Sequence, residues 1–258
     1  MLLLNEFKPN KYQKELLNIF DNYEKSITLS HRQMGTTLAI AVYTLKHAMI
    51  YNRKIYMFTP NNNTNYRFIE LCKNLYTSYL PSGKPGLYTL NKNEIKFDTG
   101  GRIHTFPLIG YSIRGMEKPN TIFIDNLALA KNNNLSDIEP LTEDCNIHII
   151  STPNKKDDIL YKLWIDDNNF HKTKIPFIPQ TQEERILENT LKTTLSYSRF
   201  NAEYKCEFIP IQEKSDVVNL RITPEEKQIL LKKSENLHFR SISEYLRFVG
   251  LNSNIKVD

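Results

Sequence analysis

Ile27-Thr28-Leu29-Ser30-His31-Arg32-Gln33-Met34-Gly35-Thr36-Thr37-Leu38-Ala39-Ile40-Ala41-Val42 contains an apolar run, a tight polar loop and the start of a long apolar helix. Ile27 to Leu29 suits a buried strand. A strand, loop and helix in this order is how a phosphate-binding loop is built. Backbone N–H groups and the helix N-terminus turn positive partial charge toward an anion. The expected pattern is G-x-x-x-x-G-K-[ST]. Here Ser30 stands at the first glycine, Gly35 at the second, Thr36 at the lysine and Thr37 at the Mg²⁺-binding hydroxyl. Read alone, these residues fit a generic glycine-containing strand–helix turn equally well, so the other segments decide.

The chain has 258 residues, a formal charge of +5 and a sequence pI near 8.9. That length buries one large core, or one core plus a small satellite domain. Mild basicity is compatible with nucleic-acid partners without requiring them. Cys72, Cys145 and Cys206 are far apart and form no C-x-x-C, which suits buried or incidental thiols in a reducing compartment. The opening Met1-Leu2-Leu3-Leu4 is too short for a signal peptide, and no run approaches the ~20 apolar residues of a membrane span. These features predict a soluble, cytoplasmic protein with no membrane partner. The histidines are scattered, with no metal-ligand spacing.

From Lys8 to Phe20 the pattern is an amphipathic helix with Leu16, Leu17 and Phe20 inward. Tyr12 and Gln13 sit at its first turn, where a Gln amide has the donor and acceptor to pair with an adenine edge. A plain surface dipeptide is the alternative. Leu38 to Met49 continues the loop helix, Ile55 to Thr59 is a buried strand, and Asn65 to Tyr79 is a second amphipathic helix. Leu87 to Thr89, Glu94 to Phe97 and Gly101 to Phe106 alternate and are expected as short antiparallel strands beside the main sheet.

Thr121-Ile122-Phe123-Ile124-Asp125-Asn126 is a continuous apolar strand ending in an acid, the Walker B pattern. A buried parallel strand delivers that acid to the sheet edge where Mg²⁺ and phosphates collect. The next residue, usually a carboxylate that orients or deprotonates water, is Asn126. Cys145 to Ile150 is another buried strand, ending in Ser151-Thr152-Pro153-Asn154, small polar groups able to sense a terminal phosphate. Asp157 to Trp164, Gln182 to Leu195 and Ser196 to Tyr204 read as helices, and Phe170 to Phe177 as an edge strand.

This ordered set resembles the ATPase domain of tailed-bacteriophage terminase large subunits, over roughly residues 5 to 210. The matching pieces are Tyr12-Gln13, Ser30 to Thr37, Arg114-Gly115 ahead of Ile122 to Asp125, Ser151-Thr152-Pro153-Asn154, and the closing Phe200 to Phe208. The resemblance implies an α/β, P-loop NTPase-type, mainly parallel sheet flanked by helices. It implies ATP and Mg²⁺ as ligands, with Tyr12 and Gln13 near adenine and Ser30, Gly35, Thr36 and Thr37 around the phosphates. Arg32 would lie near the γ-phosphate, Thr37 and Asp125 would hold the metal, and Ser151, Thr152 and Asn154 would couple nucleotide state to movement. Of the catalytic positions Arg32, Asp125 and Asn126, the last departs from the family. So does Thr36, where the lysine should be.

A charge-assisted hydrogen bond of the lysine type is worth about 1.5–3 kcal/mol, and more as charge develops in the transition state. Loss of general-base or orienting chemistry costs about 10²–10⁴ in rate. Arg32 or His31 would replace the lysine in part, but neither replaces the carboxylate. Robust hydrolysis is therefore not expected, and nucleotide would be held weakly or not at all. The family normally continues into an RNase H-like nuclease, and the sequence stops too soon for one.

In its place stand Ser215 to Glu226 and the residues beyond them. Val218, Leu220 and Ile222 alternate with Asn219 and Arg221, as in a one-faced strand. Thr223, Pro224 and Glu226 form a helix start with a capping box, and Ser241 with Glu244 forms another. The first helix should run to about Asn236 with Ile229, Leu230 and Leu237 inward. In the second, Ile242, Tyr245, Leu246 and Val249 form the apolar face, and Gly250 ends it.

Strand, capped helix, turn and capped helix resemble the ribbon–helix–helix DNA-binding family, whose protomers pair their strands in a homodimer. That resemblance implies Asn219 and Arg221 facing bases in double-stranded DNA, and Arg240 with Ser241 gripping a phosphate. A helical hairpin packed on the ATPase core is the alternative. The expected domains are 1–210 (ATPase-like), 211–216 (linker) and 217–258 (strand–helix–helix). Three functions fit: an ATPase-impaired packaging accessory that binds DNA, with terminase or portal proteins as partners; a working packaging ATPase with its nuclease on another chain; or a DNA-binding regulator on a P-loop scaffold.

Overall fold

Four strands whose residues are buried almost end to end form the centre of a computed structural model: β1 (Lys25–Ser30), β2 (Lys54–Thr59), β6 (Thr121–Asp125) and β7 (Asn146–Ser151). Such runs survive only where both faces of a sheet are covered, as in parallel α/β folds. The structure describes residues 7–78, 84–108, 116–129, 144–210, 222–236, 239 and 241–252. The chain divides into two compact units, Met1–Ile211 and Gln212–Asp258.

The first unit holds one eight-stranded sheet in the order β3-β4-β5-β2-β6-β7-β1-β8. β3 is Leu87–Leu90, β4 Glu94–Phe97, β5 Arg102–Pro107 and β8 His171–Ile175. Successive residues of β2 supply opposite layers, as a period of two requires. Ile55 and Met57 join Leu16, Phe20, Ile40, Leu45 and Phe68 from α1 (Lys11–Asn22), α2 (Thr36–Ile50) and α3 (Asn62–Ser78). Tyr56 and Phe58 face the other way, with Ile27, Ile122, Ile149, Cys206 and Leu160 of α4 (Ile159–Ile165). α2 is apolar around most of its girth and correspondingly buried from Ala39 to Leu45. α5 (Gln182–Thr194) and α6 (Tyr197–Lys205) follow β8. The three cysteines are free and buried.

One expectation is corrected. β4 is antiparallel to both of its neighbours, but β5 runs parallel to β2, with Ile55 opposite Ile103 and Phe58 opposite Phe106. The three strands extend the main sheet and do not stand beside it. Alternation along Arg102 to Phe106 reports one wetter face, and it carries no information about the direction of the partner strand.

In the second unit α7 spans Pro224–Asn236 and α8 spans Ile242–Asn252. Both halves of the first capping box are made: Thr223 N–H donates to Glu226 Oε2 (2.7 Å), and Glu226 N–H donates to Thr223 Oγ1 (3.2 Å). Glu244 N–H donates to Ser241 Oγ at 3.2 Å. Phe239, between the helices, packs at a tilt against Tyr245 and Phe248, with ring centroids 5.6 and 5.2 Å away. Two expectations fail here: Ile229 is exposed and not inward, and Gly250 lies inside α8, which its single glycine does not stop. Two helices alone offer too little surface to cover every apolar side chain they carry.

Candidate nucleotide-binding site

The loop after β1 turns sharply because Gln33 and Gly35 both take left-handed backbone angles (φ 63° and 82°). Gly35 then caps α2, its carbonyl accepting from Ala39 N–H at 3.1 Å. The left-handed angle at 35 favours glycine, and a Cβ there would stand 2.5 Å from Gln13 Nε2 and displace that amide. Both flanks of the loop are tied down. Asn10 Nδ2 donates to the Met34 carbonyl (3.3 Å) and Gln13 Nε2 to the Gly35 carbonyl (3.1 Å). Gln13 Oε1 accepts from Asn10 N–H (3.0 Å), closing the capping box of α1. The amide expected at an adenine edge thus spends one donor joining α1 to the loop and its acceptor capping α1 itself. Tyr12 likewise donates its hydroxyl to the Ile178 carbonyl and accepts from Ile178 N–H, both at 3.0 Å. Its ring meets that of His31 edge-on, with centroids 4.6 Å apart.

Across the sheet, β7 lies between β6 and β1, with Asp125 opposite Ile150 and Leu29 opposite Ser151. This order brings three expected site residues to one edge. Thr37, in the first turn of α2, donates its hydroxyl to Asp125 Oδ2 at 3.2 Å, although 88 residues separate them. Asp125 is 2% exposed, and burial pushes its carboxyl up to about 6 while the Thr37 hydroxyl draws it down. A hydroxyl and a carboxylate oxygen on adjacent structural elements are a donor pair that suits Mg²⁺. Asn126 follows in the left-handed region (φ 61°), its N–H donating to the Ile150 carbonyl at 2.8 Å. Asn tolerates that conformation better than Glu does, which gives Asn126 a local structural reason besides its chemistry.

Two coupling residues bridge the same edge. Ser151 Oγ accepts from Ala128 N–H and donates to the Thr152 carbonyl, both at 3.2 Å. Thr152 Oγ1 donates to the Ser30 carbonyl at 3.1 Å. A continuous chain of contacts therefore runs from the turn after Asp125 (Leu127–Leu129) to the start of the loop. Asn154 takes another route, its carbonyl accepting from Ile209 N–H at 2.7 Å. Thr36 opens α2, half-buried.

Arg32 has a partner that the sequence did not announce. Its guanidinium grips both oxygens of Glu203, at 2.9 and 3.0 Å, and its N–H donates to the Glu203 carbonyl at 2.7 Å. Arg199 meets the same Glu203 oxygen. One signal was available. Glu203 is a lone acid between Ala202 and Tyr204 on an apolar helix face, with Arg199 four residues before it. Of the remaining expected residues, Ser241 starts α8, while Arg114, Gly115, Asn219, Arg221 and Arg240 lie outside the described residues. Among the described residues no helix is long and apolar enough to cross a membrane.

No family model matches the chain, and no curated protein matches it. Solved structures do. The large terminase ATPase domain of Thermus phage P74-26 aligns with a TM-score of 0.57 at 15% identity, covering 80% of this chain and 96% of that domain. The large terminase of the thermophilic bacteriophage D6E gives 0.59 at 13% identity, covering 84% of this chain and 59% of that one. The bacteriophage HK97 large terminase gives 0.52 at 17% identity, covering 75% and 46%. Over most of its length the chain has the fold of a phage large terminase ATPase domain. It spans about half the length of the longer terminases it matches. The D6E protein is also known in complex with ADP and with ATP-γ-S.

Proposed function

We propose that this chain is a terminase-like phage protein of DNA packaging whose first unit binds a nucleoside triphosphate with Mg²⁺ and hydrolyses it slowly. The contact between Thr37 and Asp125 carries this reading. Two residues far apart in sequence meet where the loop helix and the acid-bearing strand converge, and their oxygens are the ones a magnesium triphosphate needs. Backbone N–H groups from Gln33 to Thr37 would cradle the phosphates, since those of His31 and Arg32 donate to the Ile175 and Glu203 carbonyls, and Tyr12 and Gln13 would border the base. The bound metal supplies charge neutralisation. Thr36 offers no cation and Asn126 cannot accept a proton from water, so turnover is slow. Ser151 and Thr152 transmit the state of the site to Ser30.

The second unit, from about residue 217, is the DNA-binding part in this reading. Asn219 and Arg221 would read bases, Arg240 and Ser241 would grip a phosphate, and the unit would pair with a second copy. Other terminase or portal proteins in the host cytoplasm would be its partners. Arg32 and Arg199 favour a second reading, a working packaging ATPase, because they bring cations to the loop that Thr36 does not.

Nucleotide binding is read by thermal melting with ATP-γ-S and Mg²⁺. A ligand at 100 times its Kd stabilises the native state by about 2.7 kcal/mol. Asp125→Ala should abolish the magnesium-dependent part of the shift, and single-turnover hydrolysis by the unaltered chain should be slow. Fast turnover that is lost in Asp125→Ala would instead establish the second reading. A wild-type melt indifferent to nucleotide and metal would remove both.

A further inference from the structure

Tyr12 and Gln13, the residues that would border a base, have committed their polar groups to the protein. Bidentate contact with an adenine edge needs the donor and the acceptor of one amide turned together toward the ligand. In Gln13 they are turned to separate partners. Nε2 donates to the Gly35 carbonyl at 3.1 Å, and Oε1 accepts from Asn10 N–H at 3.0 Å. The residue is 5% exposed. The Tyr12 hydroxyl donates to the Ile178 carbonyl and accepts from Ile178 N–H, and the Lys11 ammonium sits 4.5 Å over the ring centroid. His31, beside Tyr12, is buried between the Tyr12 and Phe177 rings, with centroids 4.6 and 5.5 Å away. Its Nδ1 lies 2.7 Å from the Arg32 carbonyl, which can only accept, so Nδ1 carries the donated proton. It too presents no open edge to a base.

We propose that the site takes nucleoside triphosphates without choosing among their bases, and that Tyr12 and Gln13 are positioning residues that brace the loop. This rests on the loop binding a nucleotide. What is recognised is the magnesium triphosphate group, common to all of them. Gln13 ties Gly35, where the loop enters α2, to the capping box of α1. Tyr12 ties α1 to the segment that follows β8. To read adenine, Gln13 would have to release both of its bonds. That would take a donor from the Gly35 carbonyl and open the N-terminus of α1, so the bonds gained at the base would be offset by the bonds lost in the protein. Adenine, guanine and cytosine therefore lie against the same side chains without a hydrogen bond that tells them apart, and all three are held alike.

The test is calorimetric titration of the full chain, with Mg²⁺, by the β,γ-imido analogues of ATP, GTP and CTP. The unaltered chain should bind the three within about threefold of one another. Reading of adenine by a bidentate amide would instead separate ATP from the others by about 5- to 150-fold. Such a preference overturns the inference and leaves the nucleotide site standing. Gln13→Ala and Tyr12→Phe distinguish bracing from reading. Each loosens the loop and should weaken all three analogues alike, by about three- to tenfold, with their ratios unchanged. A variant that weakens only the ATP analogue overturns the inference, and so does a Gln13→Ala chain that binds all three as tightly as the wild type. If the unaltered chain binds none of them, the site itself is wrong and the inference falls with it.

Discussion

Acidification from pH 7.5 to 4.5 should cost the first unit about 3 kcal/mol through His148 alone. The ring is fully buried in β7, between Phe20 and Phe123 (centroids at 4.8 and 5.2 Å). Its Nδ1 lies 2.8 Å from Ser26 Oγ, and among the described contacts its Nε2 has no partner. A protonated ring would place a second N–H and a full charge in that apolar layer. Burial therefore pushes its pKa down to about 3, with the neighbouring His47 adding to the effect.

The sign comes from linkage. The folded pKa lies below the unfolded value near 6.5, so the unfolded chain binds the proton more readily. Stability is complete above pH 6.5 and is lost as pH falls toward the folded value. Burial lowers His31, His47 and His104 as well, in the same sense. Asp125 opposes them: its raised value makes the folded chain the better proton acceptor, so its share of stability grows as pH falls through about 6. A comparison of variants isolates one group from this sum. His148→Gln keeps a polar partner for Ser26 and removes the titration. It should be less stable at pH 7.5 by about 1–3 kcal/mol, and it should lose distinctly less than the wild type between pH 7.5 and 4.5. Urea melts at the two pH values measure both quantities. An identical acid loss in the two proteins would show that His148 does not drive it.

The acid strand, the loop and their meeting point were legible in the sequence because each obeys a local rule. Thr121 to Asp125 and Cys145 to Ile150 read as buried strands because nothing polar interrupts them, and they are buried on both faces. Thr37 and Asp125 were expected to share a metal, and the strand order brings their oxygens to 3.2 Å. What escaped the sequence depends on long-range return of the chain. Arg32 and Glu203 are 171 residues apart, and their pairing depends on where α6 is laid against the loop. No periodicity encodes that. The direction of β5 escaped for a related reason, since a strand's own pattern names its wet face and not its neighbour. Asn126 shows a third kind of limit. The sequence presents it as a missing carboxylate, whereas its backbone shows that the position also selects a residue at ease in the left-handed region.

Gly101→Ala should be the most damaging added methyl among the described glycines, and Gly100→Ala its control. At Gly101 an added Cβ would lie 1.8 Å from the Ala48 carbonyl oxygen and 2.6 Å from its carbon. Both are backbone atoms of α2, so no side chain can rotate out of the way. The residue stands immediately before β5, and its carbonyl accepts from Phe97 N–H at 2.9 Å, which fixes the turn out of β4. Relief would require α2 to lift from the sheet, carrying Ala48 and Met49 out of the core they fill. The cost is on the order of 4 kcal/mol, the range reserved for core overpacking without an escape route. Gly100 has φ +97° and nothing within 4 Å of its would-be Cβ, so alanine there meets only backbone strain, about 1 kcal/mol. The ratio between neighbours is the diagnostic, because a general intolerance of this turn would affect both alike. Since α2 begins at the candidate loop, a partly folded Gly101→Ala chain should also lose any nucleotide-dependent stabilisation of the kind proposed above, while Gly100→Ala retains it. Equal melting temperatures for the two variants would mean that α2 does not pack on β5 as closely as the 1.8 Å approach requires.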